Sequence, residues 1–147
     1  NEKSLEKLIK YNIKNGVTGF YVGGSTGEAF LMSTEERRRV FEIVKTYAPE
    51  HTLIAHVGSL DEREAIELAL CAKKLSYDAI SSVAPFYYKF NFEEIKNYYC
   101  RIADSAEMPM LVYHFPAFSG VNMTVDDMKA IATVNKIAAN LKKHPID

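Results

Sequence analysis

Short apolar runs alternate along the chain with longer segments in which apolar residues recur every three to four positions. The short runs predict four buried strands, at 19–23, 53–57, 79–83 and 110–113. The longer segments have the period of amphipathic helices and lie before, between and after those strands. The predicted order α-β-α-β-α-β-α-β-α is typical of a parallel sheet that is covered by helices.

Sequence signals at the predicted helix ends agree with this order. Asn15-Gly16 has the residue types of a helix C-cap, and Ser33 with Glu36 has the spacing of a capping box at the start of the next helix. Asn91 is predicted to cap the helix that follows the third strand. A helix therefore separates each strand from the next, as parallel neighbours require.

The composition describes an ordinary globular chain of about one domain. Its 147 residues are 48% apolar and 25% charged, and the net charge is −1. A nucleic-acid-binding surface needs a basic stripe. The basic run Arg37-Arg38-Arg39 stands among glutamates, which predicts a solvated helix face of mixed charge. We therefore expect no nucleic-acid partner.

Neither a membrane nor a secretory route is indicated by the sequence. No apolar run approaches the length of a membrane span, and no signal peptide is visible at Asn1. Cys71 and Cys100 lie in helical patterns without the spacing of metal ligands. We predict reduced thiols, no metal site and a cytoplasmic protein without a membrane partner.

The segment Gly23-Gly24-Ser25-Thr26-Gly27-Glu28 directly follows the first strand. Its glycines let the backbone turn tightly, so backbone N–H groups and the adjacent hydroxyls of Ser25 and Thr26 can point at one small anion. The segment is neither a Walker loop, because no Gly-Lys-Ser/Thr follows, nor a G-x-G-x-x-G dinucleotide motif. It favours a carboxylate ligand, while an ordinary glycine-rich strand-to-helix turn stays an equal alternative.

Two further segments follow predicted strands in the same way. Pro85-Phe86-Tyr87-Tyr88 comes after the third strand, and Tyr113-His114-Phe115-Pro116-Ala117-Phe118-Ser119-Gly120 begins at the end of the fourth. The carboxyl ends of parallel strands share one edge of a sheet, so the three segments are expected to meet there. Both a (β/α)8 barrel and a doubly wound sheet bind ligands at this edge, and the pattern alone does not decide between them.

Taken in order, the three segments closely resemble the N-acetylneuraminate lyase branch of the pyruvate-dependent class I aldolases, the superfamily that includes dihydrodipicolinate synthase. The resemblance runs from about Asn1 to Asp127 and fades beyond. It implies a TIM (β/α)8 barrel, of which residues 1–147 would form a partial domain of four parallel strands with flanking helices. The first strand and the strands after the fifth would be absent. Such a half-barrel is expected to self-associate or to pair with a missing half, because its edges would be open.

The resemblance also implies a reaction and its residues. Such lyases cleave N-acetylneuraminate reversibly to N-acetylmannosamine and pyruvate through a lysine Schiff base, without an external cofactor. By position, Ser25 and Thr26 would hold the keto-acid carboxylate and Tyr113 would relay the proton. Tyr87 would support Tyr113, in some members across a subunit interface. The family is typically tetrameric, so we expect a homo-oligomer whose ligand is a keto acid or a sialic acid.

Other polar residues fit structural roles better. His56, near the end of the second strand, is predicted to be a satisfied core or rim histidine, and Glu28 to cap or pair locally. The Schiff-base lysine of the family stands in a Gly-Val/Ile-Lys-x-Thr/Ser sequence that this chain does not contain. Lys142 lies near the expected position, but its surroundings predict a surface residue at the end of a helix. The lysine's role is therefore not assigned.

Alternatives within and outside the superfamily stay open. Dihydrodipicolinate synthases typically have two threonines where this chain has Ser25-Thr26, and an arginine where it has Phe118. Both differences favour a sialic acid lyase. Aldolases of 2-keto-3-deoxy sugar acids are harder to exclude, because the absent half would supply the sugar-binding residues. The chain could also be a non-catalytic assembly half, and without the lysine the 147-residue chain itself is expected to be inactive.

Overall fold

The structure is a computed structural model, and it describes residues 1–134. Helices and strands alternate along this part of the chain, as the hydrophobic pattern predicts. Two single 3-10 turns, Ser25–Gly27 and Ala29–Leu31, follow the first strand. The other elements are α1 (Glu2–Lys14), β1 (Gly19–Val22), α2 (Thr34–Tyr47), β2 (Thr52–His56), α3 (Glu62–Lys74), β3 (Ala79–Val83), α4 (Phe92–Ala106), β4 (Met110–Tyr113), the short helix α5 (Pro116–Ser119) and α6 (Val125–Val134).

The four strands form one parallel sheet in the order β1-β2-β3-β4. In its register Phe20 pairs with Leu53, while Ser81 pairs with both His56 and Leu111. The prediction of four parallel strands that are neighbours in sequence order is confirmed. The observed ends of β1 and β2 differ from the predicted ones by one residue.

The two faces of the sheet have different surroundings. On the outer face, Leu53, Ile80 and Met110 are buried with the apolar sides of the helices in one core. Successive strand residues point to opposite faces, so the alternate positions lie on the inner face. These inner positions include Tyr21, Ile54, His56, Ser81, Val83, Leu111 and Tyr113. The inner face therefore joins the loops at the carboxyl ends of the strands.

Predicted helix caps form in the structure. The Ser33 hydroxyl accepts a hydrogen bond from the Glu36 N–H, and the Glu36 carboxylate accepts one from the Ser33 N–H. Asn91 and Glu94 make the same reciprocal pair at the start of α4. These two capping boxes fix where α2 and α4 begin, and hence how long the loops after β1 and β3 can be.

The basic run of α2 differs from the prediction at one position. Arg38 and Arg39 are solvated and pair with glutamates, but Arg37 is only 4% exposed. Its guanidinium donates hydrogen bonds to the carbonyl oxygens of His56 and Gly58, at 2.9 and 3.0 Å. A helix turns 100° per residue, so one of three successive side chains faces inward. The prediction of a wholly solvated run is therefore wrong for Arg37.

Residues 1–134 contain neither a membrane-spanning helix nor a cluster of metal-binding side chains. No helix in that range has the length and apolar character that crossing a membrane requires. No group of three or more His, Cys, Asp or Glu side chains in the same range could hold a metal ion. Cys71 and Cys100 are free, partly buried thiols on α3 and α4. Burial raises the pKa of both, which keeps them protonated at neutral pH.

Candidate active site

A cavity of about 320 Å³ opens at the carboxyl ends of the strands. All three motif segments contribute to it, so their predicted meeting at one edge of the sheet is observed. Its polar lining residues are Ser25, Glu28, Tyr113 and Ser119. The remaining wall is apolar and consists of Ala29, Phe30, Leu31, Val83, Phe86, Phe115 and Phe118.

The glycine-rich loop after β1 brings Ser25 to this cavity. Gly23 has a positive φ of 69°, which ends the strand and turns the chain. The Gly27 N–H then donates to the Gly24 carbonyl oxygen at 3.0 Å, closing a 3-10 turn. The first amides of such a turn, at Ser25 and Thr26, have no acceptor within the turn and can donate to a ligand. The Thr26 side chain is exposed and does not line the cavity.

Tyr113 stands at the end of β4 on the opposite side of the cavity from the loop of β1. Its side chain is 37% exposed, and its ring lies 6.2 Å from the Tyr21 ring and 6.1 Å from the Phe115 ring, between centroids. No lysine or arginine within residues 1–134 lines the cavity. This part of the chain can thus supply a hydroxyl for an anion and a phenol for a proton, but no amine nucleophile.

Tyr87 does not reach the cavity. Its side chain is 83% exposed, and within residues 1–134 its ring has one aromatic neighbour, Tyr88, at 5.0 Å between centroids. The structure therefore does not bring Tyr87 and Tyr113 together within one chain. Tyr87 also has a φ of 76°, an uncommon conformation for a bulky residue. Lys142, the weak positional candidate for the Schiff base, lies outside the described residues.

His56 lies on the inner face below the cavity and is almost completely buried. The rings of Tyr21 and Phe30 flank it at 6.1 and 5.7 Å. The predicted core position of His56 is confirmed by its burial, and the Gly23 backbone interacts with its ring. Burial, together with the charge of Arg37, lowers the pKa of His56 to about 4, so the ring is neutral at physiological pH.

Sequence reasoning missed much of the cavity wall. Phe30, Phe86 and Phe115 line it, although none of them was singled out. Glu28, expected to cap or pair locally, is the residue between the two 3-10 turns and caps both of them with a left-handed backbone, φ 56°, and it also lines the cavity. Their positions in the sequence could have indicated them, because all four residues lie in the segments that follow the carboxyl ends of β1, β3 and β4. Their side-chain directions depend on loop conformation, which no periodic pattern encodes.

Comparison with known proteins identifies the family. The model of the dihydrodipicolinate synthetase family matches residues 1–144. The chain belongs to the dihydrodipicolinate synthetase family. Its structural neighbours in that family are TIM barrels, so the four-stranded sheet corresponds to part of such a barrel, and both the predicted fold class and the predicted family are confirmed.

Relatives within the family include lyases and synthases. N-acetylneuraminate lyase of Salmonella paratyphi B is 48% identical over 141 residues, which are 95% of this chain and 48% of that protein. CdNal from Clostridium difficile, solved in complex with mannosamine, has a TM-score of 0.91 and 49% identity, covering 93% of this chain and 48% of its own. Dihydrodipicolinate synthase of Acinetobacter baumannii, solved with pyruvate, has a TM-score of 0.88 and 36% identity over 93% of this chain and 47% of its own. The chain thus spans about half the length of the relatives it matches.

Proposed function

We propose that the chain forms the part of an N-acetylneuraminate lyase barrel that binds the keto-acid carboxylate and relays the proton. One observation carries the proposal: Ser25 and Tyr113, from the loops of β1 and β4, line the same cavity. The 48% identity to a lyase favours this activity over that of the synthase, which is 36% identical. In this proposal residues 1–147 are a partial barrel domain, without the first strand and the strands after the fifth.

The proposed reaction is the reversible aldol cleavage of N-acetylneuraminate to N-acetylmannosamine and pyruvate. A lysine from a strand outside the described residues forms a Schiff base with the ketone and acts as the electron sink. The Ser25 hydroxyl and the amides of the 3-10 turn hold the carboxylate, and Thr26, whose side chain does not line the cavity, contributes through its amide. Tyr113 relays the proton of the hydroxyl beside the breaking carbon–carbon bond: its phenol oxygen accepts that proton while its own phenol proton passes to the substrate carboxylate, which later returns a proton to the enamine carbon. The electron pair of that bond moves into the iminium, which leaves an enamine and an aldehyde.

The character of the cavity wall supports a sugar acid with one carboxylate. Phe118 lines the cavity, at the position where the resemblance implies an arginine for the dicarboxylate of the synthases. Within residues 1–134, aromatic and aliphatic side chains make up most of the wall around Ser25 and Tyr113. The mannosamine complex of the Clostridium difficile relative is consistent with an amino sugar product.

The proposal extends to a homotetramer in the cytoplasm. Tyr87 is held in a strained backbone conformation while its side chain points into solvent. Strain of this kind is stored where a contact outside the segment determines the conformation. We infer that Tyr87 supports the Tyr113 of a neighbouring subunit.

A chimeric barrel tests the proposed function. Residues 1–134 are joined to the complementary segments of the Salmonella paratyphi B lyase, which supply the rest of the barrel and its lysine. We expect this chimera to cleave N-acetylneuraminate. Tyr113→Phe should lower turnover by about 10²–10⁴-fold, because the phenol proton is lost, while the pyruvate Schiff base can still be trapped with borohydride.

The matched control is Tyr11→Phe, which removes the hydroxyl of a solvent-exposed tyrosine on α1 and should leave turnover unchanged. No cleavage by the unmutated chimera would contradict the proposed function. Near-normal turnover of Tyr113→Phe would contradict only the proton-relay role.

A further inference from the structure

Tyr21 spans the inner face of the sheet. In the register it pairs with Ile54 on the neighbouring strand β2, yet its hydroxyl donates a hydrogen bond to the Ser81 hydroxyl on β3, at 3.0 Å. The Ser81 hydroxyl donates in turn to the Leu111 carbonyl oxygen on β4, also at 3.0 Å. Leu111 is two residues before Tyr113. Two hydrogen bonds therefore connect the phenol of Tyr21 to the backbone that carries Tyr113.

The side chain of Tyr21 is 45% exposed, and its ring has an aromatic neighbour on each of two sides. It lies 6.2 Å from the Tyr113 ring at an angle of 39°, and 6.1 Å from the His56 ring. Burial, and to a smaller extent the neighbouring Tyr113, raise the pKa of Tyr21, while its hydrogen bond to Ser81 opposes this. Its phenol is thus a fixed neutral donor, since its proton is engaged with Ser81. It is not placed to act as a second proton relay.

The loop that carries Ser25 rests on the same ring. A Cβ atom at Gly24 would lie 2.7 Å from Cε1 and 2.9 Å from Cδ1 of Tyr21, closer than real Cβ atoms approach. Gly24 has a φ of −79°, which any residue adopts, so the backbone conformation does not require glycine. The Tyr21 ring requires it. Tyr21 therefore contacts the backbone next to Ser25 on one edge and faces Tyr113 on the other.

We propose that Tyr21 is a positioning residue that fixes the place of Tyr113 relative to the Ser25 loop. Its ring sets the spacing between the two, and the hydrogen bond to Ser81 holds the ring at one orientation. The inference rests on the proposed function, because it assigns the spacing a role in proton transfer. Reacting groups that are displaced by about 1 Å lose on the order of 10²-fold in rate, so small movements of this ring have measurable consequences.

The test uses the active chimera and the variant Tyr21→Phe, which keeps the ring and removes the hydroxyl that donates the hydrogen bond to Ser81. We expect kcat to fall about 10- to 100-fold, with KM for N-acetylneuraminate changing less than about twofold. Ser81→Ala removes the acceptor instead of the donor and should reproduce this effect. Gly24→Ala pushes the loop against the ring and should raise KM as well as lower kcat.

A double-mutant cycle separates positioning from general destabilisation. If Tyr21 acts through Tyr113, then Tyr21→Phe should cost less than about twofold in kcat when Tyr113 is already phenylalanine. Tyr77→Phe is the control, since it removes a tyrosine hydroxyl that, like that of Tyr21, donates one hydrogen bond, here to the Phe41 carbonyl oxygen at 2.9 Å, and Tyr77 does not line the cavity. It should lower stability in urea and leave kcat unchanged.

The outcomes distinguish the two proposals. An active chimera whose kcat is unaffected by Tyr21→Phe overturns the positioning role alone. A loss of kcat that persists in full in the Tyr113→Phe background also overturns it, because the effect would then not pass through Tyr113. An inactive unmutated chimera overturns the proposed function and this inference together.

Discussion

Replacing tyrosine by phenylalanine should change the free energy of unfolding in opposite directions at Tyr98 and at Tyr99, which are neighbours on α4. Both side chains are buried, at 5% and 0% exposure. The Tyr98 hydroxyl donates to the Ser59 carbonyl oxygen at 2.8 Å, accepts from the Ser59 N–H at 3.1 Å and lies 3.2 Å from the Ser82 hydroxyl oxygen. The Tyr99 hydroxyl has no hydrogen-bond partner within residues 1–134. Replacing each by phenylalanine therefore isolates the value of the hydrogen bonds.

The expected free energies of unfolding follow from these partners. Tyr98→Phe leaves the buried N–H and carbonyl of Ser59 without this partner, and an unsatisfied buried group costs about 1–3 kcal/mol, so we expect a loss of about 2–3 kcal/mol in total. Tyr99→Phe removes a hydroxyl that is already desolvated without a hydrogen bond. Its expected effect lies between zero and a gain of about 1 kcal/mol.

Urea unfolding followed by circular dichroism measures both variants in the 147-residue chain. In thermal unfolding, Tyr98→Phe should lower the midpoint by roughly 4–12 °C, since 1 kcal/mol corresponds to about 2–4 °C at this chain length. Each variant serves as the other's control, because both keep the aromatic ring and the helix. Equal losses, or a larger loss for Tyr99→Phe, would refute the assignment of the Tyr98 hydrogen bonds.

Two further predictions concern charge and chemistry. Burial, with the charge of Arg37, holds the pKa of His56 at about 4 instead of 6.5, so the unfolded chain binds this proton first as the pH falls. The free energy of unfolding should therefore keep the full contribution of neutral His56 above pH 6.5 and decrease by up to about 3 kcal/mol on acidification to pH 4. His56→Gln should remove this part of the pH dependence. If the free energy of unfolding, measured by urea titration at several pH values, changes with pH in the variant as it does in the unmutated chain, His56 is not the source. The 147-residue chain, incubated with pyruvate and borohydride, should give no specific adduct by mass spectrometry, because no lysine within residues 1–134 lines the cavity. A single stoichiometric adduct on Lys142 would contradict this.

The order of helices and strands could be predicted because it depends on local patterns. Apolar runs with the length of a strand, helical periodicity and capping boxes such as Ser33 with Glu36 each act within a few residues. All four strands were predicted to within one residue at each end. The parallel arrangement follows as well, since a helix between every two strands leaves no room for a hairpin.

The environment of single side chains could not be predicted in the same way. From the sequence, Arg37 is predicted to be solvated like Arg38 and Arg39. In the structure α2 packs against the end of β2, where two carbonyl oxygens accept hydrogen bonds from Arg37. The hydrogen bond between Tyr21 and Ser81 joins β1 to β3 across β2. The sequence indicates which face these residues occupy, but not which residues meet there.

The cavity separates two tasks that the proposed reaction needs. In the proposed function, Ser25 binds the carboxylate and Tyr113 transfers the proton, and β1, β3, β4 and the contacts of Tyr21 position both groups. The electron sink has to come from a lysine that the described residues do not place at the cavity. If Tyr21 has the proposed positioning role, the spacing of the binding and relay groups is fixed within this sheet, independently of the strand that carries the amine.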